Sequence, residues 1–423
     1  MNSFIIKGTF VHTLTKEKFE IKKDSYLVVI DNKVINIFDE KPKQYSQLEL
    51  IDYTGKLIIP GLIDLHVHAS QYRFRSSGMS LELLDWLNTY TFPEESKFED
   101  EKYAKKIYST FVNELKYGAT TRACIFGTLH ANATLILMDE LENSGLISYV
   151  GKVNMDRNSP EYLVETTEES IAATKFWLDE IKLKNYKRSK PILTPRFIPS
   201  CSDDLMRGLK EIQKSYNVPF QSHLSENEKE IEWVKELCPN SKNYGDAYNQ
   251  FGLFGGSCKT IMAHCVSSTD EEIDLMKANG VFVAHCPESN INLSSGIAPV
   301  RKFLNKGLKV GLATDMAAGS SPNMIKSIAY AIQVSKLYWR LVDNTCPALS
   351  ISEAFYLATK GSGEFFNNVG SFEKGYEFDA LVIDDSDIAF STEFSIEDRV
   401  EKFIYLGSSK HIVSKYICGT KIF

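Results

Sequence analysis

The chain has 423 residues and a net charge of −7; hydrophobic residues make up 43% and charged residues 24%. That balance fits a globular protein of one large domain or two medium ones. The charge has the wrong sign for a protein that neutralises phosphates, and no apolar run is long enough to span a bilayer, so neither nucleic acid nor membrane is an expected partner. The first residues, "MNSFIIKGTF", carry too short an apolar stretch for a signal peptide. The eight cysteines are scattered without a C-x-x-C pair. They are expected to be reduced, mostly buried thiols in a cytoplasmic protein.

Residues 1–56 read as short strands. "SYLVVIDNKVINIF" (Ser25–Phe38) is two β runs joined by a turn at Asp31-Asn32. The far end is similar, with "EFDALVID" (Glu377–Asp384) and "KYICGTKIF" (Lys415–Phe423). Neither end has enough strands to be stable alone, which predicts that they pair into one small β-sandwich domain. The expected division is 1–56 and 369–423 for the two parts of the sandwich, and 57–368 for the domain between them.

In that middle stretch, short apolar runs alternate with helical ones. "LIIPGLIDLHVH", "ATTRACIF", "ISYVGKVNM", "PILTPRFI", "PFQSHLSE", "TIMAHCV", "VFVAHCP" and "KVGLATD" are eight candidate strands. "TTEESIAATKFWLDEIKLKN" (Thr166–Asn185) has helical spacing and a T-x-x-E capping pattern. Eight strands alternating with helices predict an α/β fold, a (β/α)8 TIM barrel. A doubly wound sheet is the runner-up, but no G-x-G-x-x-G follows the first strand.

The first candidate strand ends in "PGLIDLHVHASQY" (Pro60–Tyr72). Alternation along a strand puts Asp64, His66 and His68 on one face and Leu65 and Val67 on the other. An H-x-H is as consistent with core histidines as with a metal site. The other strands weigh on the choice. His223 ends the fifth, His264 the sixth and Asp315 the eighth, at the strand ends where barrel enzymes place their chemistry. Imidazoles and a carboxylate at one rim suit a catalytic zinc, with iron or another divalent ion also compatible. Glu226, three residues after His223, fits a general acid/base beside the metal; the competing role is a solvated acid at a helix start.

Other residues carry weaker signals. His130 reads equally as a pocket-edge or helix-start residue. His285 reads as support for the site carboxylate. Trp86 and Tyr90 read as core, and Cys265 and Cys286 as buried thiols.

With H-x-H on strand one, His on strands five and six and Asp on strand eight, the sequence resembles the amidohydrolase superfamily. Within it, "HASQY", "SLELLDWLNTYTFPEE", "TPRFIPSCS", "QSHLSEN", "AHCPESNINLSSG" and "GLATDMAAG" are similar to the guanine deaminase family, and the likeness covers nearly the whole chain. The resemblance implies zinc-dependent hydrolysis of guanine to xanthine and ammonia, with one zinc per subunit of a homodimer. It implies His66, His68, His223 and Asp315 as zinc ligands. His264 belongs to the same metal site, either as a ligand or as a partner of the zinc-bound water. Glu226, Asp315 and His264 would be catalytic. Gln71, Arg196 and Phe197 would contact the base, together with His223, Glu226 and Asp315. Arg pairs in bidentate fashion with guanine O6 and N7, Gln can both donate and accept, and Phe197 could stack on the ring or pack in the core. One departure is Glu288 in "HCPESN", where the family pattern often has Asn. The alternatives are another aminohydrolase, acting on cytosine, a triazine or a modified purine, and a catalytically inactive structural barrel.

Overall fold

The computed structural model describes residues 2–389 and 394–423. The ends of the chain meet in one seven-stranded sheet. Its strands are β1 (Phe4–His12), β2 (Glu20–Ile30), β3 (Lys33–Phe38), β4 (Leu50–Pro60), and, from the far end, β15 (Ala380–Ile383), β16 (Ile412–Ile417) and β17 (Thr420–Lys421), in the order β17-β16-β15-β4-β1-β2-β3. Asp31 (φ 51°) and Asn32 (φ 69°) make the predicted turn between β2 and β3. Both adopt the left-handed backbone that a two-residue hairpin requires, and Asn and Asp tolerate it best. Cys418 (φ 47°) and Gly419 (φ 68°) repeat the device between β16 and β17.

The middle of the chain forms two four-stranded parallel sheets, so the architecture is mixed α/β. One sheet runs β5-β6-β7-β9, from β5 (Leu62–His68), β6 (Thr120–Phe126), β7 (Ile147–Gly151) and β9 (Ser189–Pro191). The other runs β11-β12-β13-β14, from β11 (Phe220–Leu224), β12 (Thr260–His264), β13 (Phe282–His285) and β14 (Lys309–Leu312). A short pair, β8 (Val153–Asn154) and β10 (Thr194–Pro195), sits beside them. Hydrogen bonds link the two sheets at both edges. Leu193 accepts from Gln221 N and donates to Pro219 O, each at 2.9 Å; across the other edge Asp315 N donates to His66 O at 2.9 Å.

Each of the eight predicted strands contains ladder residues. The fourth is the most broken: Pro191 and Pro195 have no N–H to give, and its residues divide their pairing among β7, β8 and β11, with Leu193 joined to Phe220 by an isolated bridge. The helix Thr167–Lys184 starts on the predicted capping box of Thr166 and Glu169 and stops at Asn185 in a left-handed C-cap.

The terminal sheet is tied to the middle of the chain by buried charges. On β6, Arg122 Nε donates to Asp379 Oδ2 at 2.7 Å, and Nη2 donates to Asp379 Oδ1 at 3.0 Å and to Glu377 Oε2 at 2.7 Å. Lys415 on β16 is fully buried, and its ammonium donates to the carbonyls of Leu115, Lys116, Gly118 and Thr120 at 2.5–3.1 Å. Burial, partly offset by Asp379, pushes that amine down to about 7, and the four carbonyls around it favour the charged form.

Candidate active site

Strict alternation on β5 does not hold. Its register against β6 shifts between Asp64 and Val67. Leu65 consequently packs with Ile63, Cys124 and Ala263, while Val67 joins a different apolar cluster. Asp64 lies beside the imidazoles as a hydrogen-bonding support and not among the cluster's donor atoms. Asp64 Oδ1 accepts from Thr314 N and His66 N, each at 3.1 Å, and Oδ2 accepts from the Thr314 hydroxyl at 2.5 Å. Burial, offset by these bonds, leaves its carboxyl raised to about 6. Asp64 is a brace between β5 and the end of β14.

The five remaining groups meet. His66 Nε2 and His68 Nε2 stand 3.1 Å apart, and His68 Nε2 is 3.3 Å from His223 Nε2. Asp315 Oδ1 is 3.2 Å from His66 Nε2 and 3.4 Å from His68 Nε2. His264 Nε2 lies slightly outside, 3.8 Å from Asp315 Oδ2 and 3.4 Å from Glu226 Oε2. The backbone is bent to achieve this. His264 (φ 73°), Cys265 (φ 51°), Asp315 (φ 45°) and Ser225 (φ 47°) are all left-handed without being glycine, at a cost of about 1–3 kcal/mol each.

The donor set fits a cation. Tetrahedral ligands about 2.0–2.1 Å from a common centre stand about 3.3–3.4 Å apart, close to the spacing of His66, His68, His223 and Asp315. The protonation states agree. Burial holds the imidazoles of His66, His68 and His223 below their usual range, which favours the lone-pair-bearing form a cation needs. Burial would raise Asp315, but the imidazoles of His66, His264 and His68 around it outweigh that and keep it an anion. Their outward bonds fix which nitrogen faces inward. His223 Nδ1–H donates to the Arg196 carbonyl at 2.6 Å, leaving Nε2 with its lone pair toward the cluster. His264 Nδ1–H donates to Asn290 Oδ1 at 2.9 Å, and the Ser289 hydroxyl donates to Asp315 Oδ2 at 2.5 Å.

Beside the cluster opens a pocket with about 400 Å³ of empty space, open solvent included. His68, His223, His264 and Asp315 form one wall, with Glu226, Gln71, Arg196 and Phe197 around it. Burial first, then the nearby Asp315 anion, raises the Glu226 carboxyl well above its usual range. Its Oε1 is buried without a hydrogen-bond partner among the described residues. Glu230 is pushed up to about 7 by burial and then by Glu226. It accepts from Glu226 N at 3.1 Å, Asn227 N at 3.3 Å and the Tyr244 hydroxyl at 2.8 Å, holding the segment that carries Glu226.

Several weaker expectations change. His285 does not support Asp315: neither of its ring nitrogens has a partner among the described residues, and Ser289 supplies that bond instead. Trp86 is buried as expected, but it also lines the pocket and donates to Ser77 O at 2.9 Å. Cys286 lies with His264 and Asp315 where its sulfur could reach a cation, yet burial raises the thiol well above its usual range and keeps it protonated. Glu288 turns to the Tyr330 hydroxyl and does not line the pocket. His130 stands at the N-cap of the helix Ala131–Ser144, the helix-start position, with no side-chain capping bond, and does not line the pocket.

Sequence reasoning missed Glu95. It is 1% exposed and takes Arg196 in a two-point ion pair, Nη1–Oε2 at 2.7 Å and Nη2–Oε1 at 3.2 Å. Gln71 Nε2 also donates to Glu95 Oε1, at 3.1 Å. In the sequence, Glu94 and Glu95 are adjacent acids with nothing in their spacing to tell them apart.

The amidohydrolase family pattern matches residues 57–421. The chain belongs to the amidohydrolase family. Similar members of that family include the guanine deaminase of Dictyostelium discoideum, 39% identical over 99% of this chain and 98% of its own. That of Escherichia coli K12 is 34% identical over 88% of this chain and 84% of its own. The crystal structure of guanine deaminase from C. acetobutylicum with bound guanine in the active site superposes over 100% of both chains, with a TM-score of 0.97 and 49% identity. Among the described residues, no helix is long and apolar enough to cross a membrane.

Proposed function

We propose that the pocket deaminates guanine at C2, yielding xanthine and ammonia. One observation carries the reading: the cation-type donor cluster, a proton-bearing glutamate and an Arg–Gln pair suited to a lactam line the same cavity. Full-length relatives named as guanine deaminases support it.

His66, His68, His223 and Asp315 would hold the divalent cation, with His264 at its edge. Zinc suits this nitrogen-rich set; iron shares it, and metal analysis of the purified protein distinguishes them. When bound, such a cation supplies Lewis acidity, lowering the pKa of water from 15.7 to about 7. The side chains do the rest. Asp315 takes the proton of the attacking water, and His264 orients its oxygen. Glu226 gives its proton to guanine N3 as the oxygen adds at C2, takes the proton of the new C2 hydroxyl as that becomes a carbonyl and passes it to the departing amine; the proton held by Asp315 then restores Glu226. Arg196 and Gln71 hold the base by its polar edge, and Phe197 covers the ring.

The two parallel sheets are best understood as halves of one (β/α)8 barrel, since hydrogen bonds join them at both edges. On that reading residues 57–368 hold the barrel, although β4 carries the terminal sheet on as far as Pro60. Residues 1–56 and 369–423, of which 390–393 lie outside the described residues, form the small β domain. Eight free cysteines fit a reducing cytoplasm. The homodimer rests on the family resemblance.

The test is ammonia and xanthine release from guanine by the purified protein, before and after chelation and again after zinc is returned. Turnover lost with the metal and restored by zinc supports the reading. No release from guanine by the metal-loaded protein overturns it.

A further inference from the structure

We infer that Glu95 is a positioning residue that sets the hydrogen-bond polarity of the pocket, and so makes it select a 6-oxo over a 6-amino purine. The inference rests on the guanine reading above.

Glu95 does not line the pocket, whereas its partners Gln71 and Arg196 do. It therefore acts through them. An ionised carboxylate only accepts hydrogen bonds, so the Gln71 group that faces it must be the NH₂. That contact, at 3.1 Å, fixes which way the amide points. The Gln71 oxygen is turned the other way and accepts from Ala317 N at 3.5 Å; since Gln71 lines the pocket, we take this acceptor to be what it presents to a ligand there. Arg196 spends two of its N–H groups on the two oxygens of Glu95, which fixes the guanidinium plane, and the Phe92 ring lies 5.2 Å from its Cζ. Its remaining N–H groups have no partner among the described residues and can donate.

The pocket thus offers donors from Arg196 and an acceptor from Gln71. A 6-oxo purine presents the complement, an O6 acceptor beside an N1–H donor. A 6-amino purine presents the reverse, an N6 donor beside an N1 acceptor. An amide free to rotate would serve both. Polar groups that cannot rotate are left unpaired by the wrong partner, which is how such sites reject it.

The probe is 2,6-diaminopurine, which carries the same C2 amine as guanine but an amine at C6. In Glu95→Gln the new amide can donate to Gln71 as well as accept from Arg196, so Gln71 is released to turn. The ratio of kcat/KM for guanine to that for 2,6-diaminopurine should fall by about tenfold or more, the worth of one hydrogen bond. A merely structural lesion lowers both rates alike and leaves the ratio unmoved. In a Gln71→Leu background the same substitution should no longer change the ratio, because the residue through which it acts is gone. Should Glu95→Gln not fold, Glu95→Asp, with the charge but a shorter reach, is read by the same ratio and should lower it too. Ratios within twofold of the parent overturn the inference while the guanine reading stands. A parent protein that turns over neither purine overturns both.

Discussion

His264 Nδ1–H points at Asn290 Oδ1 from 2.9 Å, from the end of β12 to the helix Pro287–Asn292 that follows β13. The bond fixes the imidazole tautomer and leaves Nε2 facing Asp315 and Glu226. Asn290→Leu, of similar volume, removes the acceptor. We expect kcat for guanine to fall about 10–100-fold, the usual effect of losing such a support. Asn290→Asp, which keeps an acceptor oxygen, should recover part of the loss. Steady-state kinetics on the two variants check this, and equal rates in both contradict it.

Glu226→Gln keeps the shape of the side chain and removes its proton. Turnover should drop roughly 100- to 10,000-fold while metal content and melting temperature stay as in the parent. Ammonia release measured beside metal analysis separates the two effects. A variant near the parental rate would mean that another group moves the proton.

Gly319 closes the turn that follows Asp315, and its N–H donates to the Asp315 carbonyl at 2.8 Å. A Cβ here would stand 2.0 Å from Thr314 O, a backbone atom that cannot swing aside. Gly319→Ala should displace Asp315, destabilise the fold by about 1–3 kcal/mol and lower metal content. Thermal unfolding and metal analysis report both; a variant unchanged in each shows that the turn has room.

His12, on β1, gives a pH dependence remote from the pocket. Its Nδ1 accepts from Phe372 N at 3.2 Å and lies 2.9 Å from the Ser371 hydroxyl. Burial lowers its pKa from 6.5 to about 4. Between those values the unfolded chain binds the proton and the folded chain does not, so stability rises with pH across that window. The contribution is complete above pH 6.5 and lost as pH falls through 4, a swing of about 3 kcal/mol. Denaturant midpoints from pH 4 to 7 should show this slope in the parent and a flatter one in His12→Gln. Identical slopes would assign the acid sensitivity elsewhere.

The sequence by itself determined the elements and the identity of the reactive groups. Apolar runs separated by helical spacing predict the parallel strands, and Thr166 with Glu169 predicts where a helix starts, because strand and helix periods and caps depend on residues within a few positions of each other. The turn at Asp31-Asn32 and the placing of His66, His68, His223, His264 and Asp315 at strand ends are legible for the same reason. Tertiary structure alone decided what those groups do to one another. The register shift that turns Asp64 to Thr314, 250 residues away, depends on how two strands seat against each other. So do the choice of Ser289 over His285 beside Asp315 and of Glu95 over Glu94 beneath Arg196, which lies 101 residues further on. An ion or a hydrogen bond takes the partner that folding delivers within about 3 Å, and distance along the chain carries no record of that encounter.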